Sequence, residues 1–296
     1  MALAVAVESG LWPRAVEVSL RGKVAVVTGG GRGLGRAYAH ALARAGARVL
    51  VNDAGVEVDG SGGSAHPAES VAREIRNSGG EALFHVESVA NAEGVRSLFG
   101  QARAAWGRVD ILVNNAGVVR SRPLVEMEEE DWDRVLDVHL RGTFLCCREF
   151  LRSWPGGVES GSIVNVTSGA AYAGVYPGTA NYAAAKGGIL SLTRVVAEEG
   201  RERGVRCNAI SPLARTRMSA EVLGHETDPS LEPESVARFV VFLAGEWASG
   251  ITGRVFRVER GRVGLVEFGV RDLVEIPDPL EPASFAATLR SMLGSE

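Results

Sequence analysis

A tyrosine and a lysine stand four residues apart in Tyr182-Ala-Ala-Ala-Lys186, near the start of a predicted helix over 180–203. This spacing places both side chains on one face of the helix. A phenol has an unperturbed pKa of about 10, and a nearby ammonium group favours the phenolate and lowers that pKa. The pair is a candidate for acid–base chemistry. The alternative is a partly buried tyrosine beside a solvated lysine.

A glycine-rich segment, Thr28-Gly-Gly-Gly-Arg-Gly-Leu-Gly35, lies between the apolar run 24–27 and an alanine-rich helix pattern over 36–45. Glycines between a strand and a helix allow a tight turn and let a pyrophosphate approach the helix N-terminus. The context of strand, glycines and helix predicts a dinucleotide site at Gly29, Gly33 and Gly35. The alternative is a glycine-rich connection that binds no ligand.

Asp53 ends the second predicted strand, about 20 residues after Gly33, the usual offset of the acid that binds the adenosine ribose. A carboxylate at that position repels a 2′-phosphate, so we expect NAD, with NADP as the alternative because Arg32 could face a phosphate. Asp53 could instead form a turn in Asn52-Asp-Ala-Gly55.

Alternating apolar runs and helical patterns must position these residues. Strands are predicted over 24–27, 48–51, 82–84, 110–113, 162–166, 205–209 and 254–258, and helices over 36–45, 67–77, 92–106, 128–153, 180–203 and 234–244. This alternation predicts an α/β fold, a Rossmann-type doubly wound seven-stranded parallel sheet in a single domain. We expect an N-terminal extension over 1–20, the Rossmann oxidoreductase domain over 21–260, and a tail over 261–296 with a short helix near 283–293.

Composition excludes several classes of protein. The 296 residues have a net charge of −4 and a pI near 5.9, which argues against nucleic-acid binding. Three cysteines form neither a disulfide framework nor a zinc site, so we expect no metal and a reducing, cytoplasmic compartment. The N-terminus lacks a basic region, which argues against a signal peptide. No apolar run reaches the ~18 residues of a membrane span, so we expect no membrane association.

These motifs resemble those of the short-chain dehydrogenase/reductase family across about residues 20–260. The resemblance rests on the glycine-rich segment, Asn114-Asn-Ala-Gly117, a serine after the fifth strand, and Tyr182-x-x-x-Lys186. Within the family, the chain is similar to the (R)-3-hydroxyacyl-CoA dehydrogenase modules of type 2 multifunctional enzymes and their bacterial stand-alone relatives. The further segments that carry this similarity are Val51-Asn-Asp53 with the enlarged glycine-rich turn, Glu87-Ser-Val89, Asp137-Val-His-Leu-Arg-Gly142, Cys207-Asn-Ala-Ile-Ser-Pro212 and Arg217-Met218.

The resemblance implies an NAD(P)(H)-dependent oxidoreductase that interconverts a secondary alcohol and a ketone on a small-molecule substrate. Tyr182 would be the general acid/base, Lys186 would bind the nicotinamide ribose, and Ser168 would polarise the substrate carbonyl. The cofactor-binding residues implied are Gly29, Arg32, Gly33, Leu34, Gly35, Asp53, Ser88, Val89, Asn115, Tyr182, Lys186, Pro212 and Thr216. The substrate would be a 3-hydroxyacyl thioester or a ketone of secondary metabolism.

Three positions depart from the family pattern. Gly169 stands 13 residues before Tyr182, where the family has a serine, and Ser168 stands 14 before it. We expect Ser168 to take over that role. His139 replaces an asparagine and is a candidate catalytic residue that supports a water chain to Lys186, with a packed helix histidine as the alternative. Leu213 follows Pro212 where the family has a glycine.

These departures motivate a second hypothesis, a nucleotide-binding protein of the same fold with lost or altered redox chemistry, acting as a cyclase or sensor. We also expect a homodimer or homotetramer. The long helices over 128–153 and 180–203 would otherwise expose a large apolar patch to water. The apolar residues expected in that patch are Leu136, Leu140, Phe144 and Leu145.

Overall fold

The computed structural model describes residues 18–155, 160–174, 176–219, 224, 228–269, 282, 284 and 286–288. The chain divides into a unit of residues 1–265, which contains the predicted site residues, and a unit of residues 266–296. The predicted extension over 1–20 and the predicted helix near 283–293 fall mostly outside the described residues.

All seven predicted strands form, and the sheet order is β3-β2-β1-β4-β5-β6-β7-β8. Every neighbouring pair from β3 to β7 is parallel. The strands are β1 (Val24–Thr28), β2 (Arg48–Asn52), β3 (Ala82–His85), β4 (Ile111–Asn114), β5 (Gly161–Val166), β6 (Val205–Leu213), β7 (Val255–Glu259) and β8 (Arg262–Val266). The order reverses between β1 and β4, and in such sheets ligands bind outside the carboxyl ends of the strands at that point.

The eighth strand was not predicted, so the strand count of seven was wrong by one. β8 follows β7 through the two-residue turn Arg260-Gly261, in which both residues have positive φ angles of 47° and 70°. Positive φ at both positions is the geometry of a tight β-hairpin. The residues of β8 fall within the predicted tail because the alternation of predicted strands and helices ends at residue 258.

The helices flank the sheet on both faces. They are α1 (Gly33–Arg44), α2 (His66–Asn77), α3 (Ala92–Trp106), α4 (Glu129–Leu136), α5 (Gly142–Ser153), α6 (Ala180–Arg201) and α7 (Pro233–Ala244). A π-helical segment, Asp137–Arg141, connects α4 directly to α5. The single helix predicted over 128–153 is therefore continuous but contains this wider turn, a feature often found at functional sites.

Two hydrophobic clusters fill the spaces above and below the sheet. In β1, Ala25 and Val27 belong to one cluster and Val26 to the other, and all three are fully buried. Burial on both faces explains why the strands read as continuous apolar runs. The packed sheet thus holds its carboxyl ends rigidly, and the predicted site residues follow those ends.

Candidate active site

The glycine-rich loop connects β1 to α1 by a path that side chains would block. Gly29 and Gly33 have positive φ angles of 60° and 50°. A Cβ atom at Gly29 would lie 2.7 Å from the Ala116 Cα atom, and one at Gly35 would collide with the Gly29 carbonyl oxygen. The predicted glycines are therefore required by the backbone itself.

Asn115 ties the end of β4 to this loop. Its Nδ2 atom donates to the carbonyl oxygens of Gly29 and Thr28 at 2.9 and 3.1 Å, and its backbone N–H donates to the Thr28 hydroxyl at 3.0 Å. Asn115 also lines the cofactor cleft described below. It therefore fixes the start of the glycine-rich loop to the end of β4, where the strand order reverses.

Asp53 forms the turn anticipated as its alternative role and also contacts the glycine-rich loop. Its Oδ1 atom accepts from the Gly55 N–H at 2.7 Å, which is the turn anticipated as an alternative, and its Oδ2 atom accepts from the Gly31 N–H at 2.9 Å. The carboxylate is therefore oriented beside the glycine-rich loop. The neighbouring Arg32 guanidinium donates to the Val56 carbonyl at 2.9 Å.

A cleft of about 470 Å³ opens above the carboxyl ends of the strands. Nine predicted cofactor residues line it: Gly29, Arg32, Gly33, Leu34, Asp53, Ser88, Val89, Asn115 and Thr216. Gly35, Pro212, Tyr182 and Lys186 do not line it. Sequence reasoning missed further lining residues, chiefly Gly31, Asn52, Val56, Glu57, Val58, Gly117, Val118, Arg134, Arg217 and Met218. The enlarged glycine-rich turn and the Arg217-Met218 pair were the signals that could have identified several of them.

The start of α1 suits an anionic ligand. No side chain caps it and its first turn contains no acidic residue, so its free N–H groups and the positive end of the helix dipole face the cleft. The glycine cradle, this helix start and the Asp53 carboxylate together fit an adenine dinucleotide. Among the residues that the structure describes, no cluster of His, Cys, Asp or Glu could hold a metal ion.

Tyr182, Ser168 and Lys186 come together beside this cleft. The Ser168 hydroxyl lies near the Tyr182 hydroxyl and acts to lower the pKa of that phenol. The Lys186 Nζ atom lies 5.6 Å from the centre of the Tyr182 ring and donates to the Val166 carbonyl at 2.7 Å. Lys186 is only 3 % exposed. The four-residue helical spacing and the end of β5 therefore bring these three side chains near one another.

Burial shifts the pKa values of Tyr182 and Lys186 in opposite directions. Removal from water raises the pKa of Tyr182, an effect partly offset by the hydrogen bond from Ser168 and increased by nearby Tyr176. Burial lowers the pKa of Lys186 to about 7. The expected net lowering of the Tyr182 pKa by Lys186 is not found, because burial disfavours both charged forms.

Ser168, and not Gly169, faces the tyrosine. The Ser168 Oγ atom also accepts from the Ala170 N–H at 3.3 Å. A Cβ atom at Gly169 would point instead to the Arg257 guanidinium, 2.9 Å from its Nη1 atom. The shifted position of the serine in the sequence therefore does not remove a hydroxyl from the site.

His139 lies in the π-helical segment and contacts Tyr182. Its ring meets the Tyr182 ring edge-on, with centres 5.2 Å apart. Its Nε2 atom lies 2.8 Å from the Val118 carbonyl and 3.1 Å from the Val118 N–H, so the tautomer decides which bond forms. Burial, and then the charge of Lys186, hold its pKa well below the usual value. Nδ1 has no hydrogen-bond partner within the described part of the chain.

The segment after β6 supplies one side of the cleft. A Cβ atom at Gly33 would lie 3.4 Å from the Thr216 methyl group, so Thr216 faces the glycine-rich loop. The Ser219 hydroxyl accepts from the Thr216 N–H at 2.8 Å and holds this turn. Pro212 lies within the last residues of β6 and does not line the cleft.

Comparison with known proteins identifies similar chains. A family model described as short chain dehydrogenase matches residues 23–226. The mouse peroxisomal multifunctional enzyme type 2 is 41 % identical over 245 residues, which cover 82 % of this chain but 32 % of that protein. The chain thus spans about a third of the length of such multifunctional relatives.

Shorter relatives match over most of their length. A hydroxyacyl-CoA dehydrogenase of Mycobacterium tuberculosis is 40 % identical, with 88 % of this chain and 84 % of that protein covered. The solved structure of a short chain dehydrogenase from Mycobacterium avium is 40 % identical and superposes with a TM-score of 0.81, covering 93 % of this chain and 96 % of that one. In the described ranges, no helix is both long and apolar enough to cross a membrane.

Proposed function

The chain belongs to the short-chain dehydrogenase family, and we propose that Tyr182, Ser168 and Lys186 carry its reaction. It is an NAD(P)-dependent oxidoreductase that interconverts a secondary alcohol and a ketone. The observation that supports the residue assignment is the convergence of a hydroxyl, a phenol and an amine beside a cleft suited to a dinucleotide.

The chemistry that a bound nicotinamide supplies is hydride transfer. In ketone reduction, the Ser168 hydroxyl donates a hydrogen bond to the carbonyl oxygen. The Tyr182 hydroxyl gives its proton to the same oxygen as negative charge develops there. Alcohol oxidation reverses these roles, so Tyr182 must then accept the proton. A Lys186 ammonium stabilises the Tyr182 phenolate that ketone reduction leaves and that alcohol oxidation starts from, and the Lys186 pKa of about 7 lets it exchange a proton at neutral pH.

The substrate we propose is a 3-hydroxyacyl thioester and its 3-oxo form. Relatives at about 40 % identity support this proposal, since one is named a hydroxyacyl-CoA dehydrogenase and another, from Synechocystis, a 3-oxoacyl-[acyl-carrier-protein] reductase. The test is the rate of NADH oxidation with 3-oxoacyl-CoA, measured against a ketone of equal chain length without the thioester. Preference for the plain ketone would favour a different small metabolite. Cofactor binding without turnover on either would favour the sensor hypothesis.

We propose NAD as the preferred cofactor. Asp53 presents its carboxylate beside the glycine-rich loop, where it accepts a ribose hydroxyl and repels a 2′-phosphate. The competing Arg32 already donates to the Val56 carbonyl. The measurement is kcat/KM for NADH and NADPH. A preference for NADPH of about tenfold, or 1.4 kcal/mol, would assign Arg32 to a phosphate instead.

A further inference from the structure

Asn181, directly before the catalytic tyrosine, joins three segments of the chain. It is fully buried. Its Nδ2 atom donates to the carbonyl oxygens of Arg120 and Asp131 at 3.0 and 2.9 Å, and its Oδ1 atom accepts from the Tyr182 N–H at 2.7 Å. One amide side chain therefore connects the loop after β4, the first turn of α4 and the start of α6.

The Asp131 carboxylate holds the two arginines of that loop. Its Oδ1 atom lies 3.3 Å from the Arg120 guanidinium and its Oδ2 atom 2.9 Å from that of Arg122. The Arg122 N–H donates to the Gly178 carbonyl at 2.8 Å, just before α6. The loop and the start of the catalytic helix are thus tied at several points, with Asn181 at the buried centre.

The same loop forms a wall of the cofactor cleft. Val118 lines the cleft, and the N–H of Val119 donates to the carbonyl of Val58, another lining residue, at 2.8 Å. The Arg120 Nε atom donates to the Asp59 carbonyl at 2.8 Å. The enlarged glycine-rich turn (residues 59–64) is therefore linked through Arg120 to Asn181.

We propose that Asn181 is a positioning residue that fixes the Tyr182 hydroxyl against the cofactor cleft, with Arg120 and Asp131 holding it to the enlarged turn. The inference rests on the proposed role of Tyr182. The first N–H groups of a helix lack hydrogen-bond partners within the helix. The Asn181 side chain accepts a hydrogen bond from the Tyr182 N–H and also bonds the loop after β4, so it anchors the start of α6 to that loop. Loss of the amide leaves two buried carbonyls and one N–H without this partner.

Asn208 offers a matched control. It is also a fully buried asparagine. Its Nδ2 atom donates to the Ile251 carbonyl at 2.7 Å and its Oδ1 atom accepts from the Arg254 N–H at 3.1 Å. It joins β6 to the segment before β7, and its partners are not residues of the site. Asn208→Ala therefore tests the cost of losing a buried bridging amide elsewhere in the fold.

The experiment compares Asn181→Ala with Asn208→Ala in the full-length chain. We expect both to lower the melting temperature, but only Asn181→Ala to lower kcat, by roughly 10-fold or more, since small displacements of a catalytic group cost rate. The dissociation constant for NADH, from fluorescence, should change little in either variant. Asn181→Ser, which keeps one small polar group, should give an intermediate kcat and serves if the alanine variant does not fold.

A second measurement does not require turnover. The chain has four tyrosines, so the ¹³C signal of the Tyr182 ring can be assigned with Tyr182→Phe and titrated. In Asn181→Ala the Tyr182 pKa should move from its raised value toward the ordinary one, and in Asn208→Ala it should not move. Wild-type kcat and an unchanged Tyr182 titration in a folded Asn181 variant would overturn the inference. If the wild-type enzyme is inactive on every ketone, the proposed reaction is contradicted. The Tyr182 titration then still tests whether Asn181 positions Tyr182.

Discussion

Lys186 is buried and Tyr182 is partly buried, and this environment opposes the charged form of each residue. Lys186 is almost completely enclosed and donates to the Val166 carbonyl. Tyr182 has a hydroxyl neighbour in Ser168 and an imidazole neighbour in His139. We propose that the phenol is the group that exchanges a proton with substrate.

The Tyr182→Phe variant should keep its ring packing but lose the proton donor. General acid–base catalysis contributes at least about 10² in rate, so we expect kcat to fall by that factor with the fold intact. Tyr38→Phe is the control, because Tyr38 is fully buried in the core away from the site. Steady-state kinetics and circular dichroism measure both. Near-wild-type turnover in folded Tyr182→Phe would show that the chain uses other chemistry.

Replacing Ser168 tests which serine position acts. Loss of a hydrogen-bond donor to a developing oxyanion costs about 10²–10³ in rate, so Ser168→Ala should lower kcat by up to that range. Thr167→Ala should cost less, since that hydroxyl donates to the Lys186 backbone carbonyl. Adding Gly169→Ser to Ser168→Ala should not restore kcat, because position 169 faces Arg257. Recovery in the double variant would show that position 169 reaches the substrate.

The buried Lys186 predicts a pH dependence of stability. Its pKa is about 7 in the folded chain against an ordinary 10.5, so between those values the unfolded chain binds a proton that the folded chain lacks. Stability conferred at this position therefore rises with pH through that window, by at most about 1.4 kcal/mol per pH unit. The free energy of unfolding of wild type minus that of Lys186→Met, from urea titrations at pH 7, 8.5 and 10, should increase. A constant difference would contradict burial of the amine.

At the level of elements, the site depends on what lies between regular segments. The π-helical turn between α4 and α5 carries His139 to Val118 and Tyr182. The loop after β4 connects the cofactor cleft to the start of α6. The strands and helices hold the ends of these connections in place, and the connections bring the side chains of the candidate site into contact.

Two helical glycines distinguish a position where the backbone requires glycine from one where glycine only lowers helix stability. A Cβ atom at Gly35 in α1 would collide with the Gly29 carbonyl, whereas one at Gly187 in α6 meets nothing within 4 Å. Gly35→Ala should therefore distort the loop and weaken NADH binding by at least about tenfold, or 1.4 kcal/mol. Gly187→Ala should stabilise the chain by up to about 1 kcal/mol with unchanged binding. Isothermal titration and thermal unfolding distinguish the two. Equal binding in both variants would refute the required close approach.

For the whole molecule, we propose a homodimer or homotetramer that covers α5 and α6. The predicted apolar patch is smaller than expected. Leu145 is 4 % exposed and lies in the core, and the partly buried Leu136 and Leu140 pack against that core. Phe144 on α5 and Val195 on α6 remain 42 % and 54 % exposed. A partner subunit would cover these two exposed apolar side chains.

Light scattering at micromolar concentration should show at least a dimer. Phe144→Glu should shift it toward monomer, since a charge in an apolar interface loses its water. Val86→Glu, at a residue 40 % exposed after β3, should not. A wild-type monomer would refute the assembly.

The sequence by itself determined the fold class, the glycine-rich cradle and the tyrosine–lysine pair. These depend on local rules: alternation of strands and helices, glycine where the backbone turns, and a four-residue helical spacing. Their residues lie close in the chain, so pattern alone predicts their geometry. The family resemblance supplied the remaining role assignments, including those of Asn115 and Thr216.

Only the tertiary structure decided which groups meet across the fold. Ser168 faces Tyr182 while Gly169 faces Arg257, and burial sets the direction of the pKa shifts of Tyr182 and Lys186. Asn181 bonds backbone groups 61 and 50 positions away. Such contacts join residues distant in sequence, and they depend on how packed elements orient side chains and exclude water. No local period encodes that arrangement, so it becomes visible only when the chain is folded.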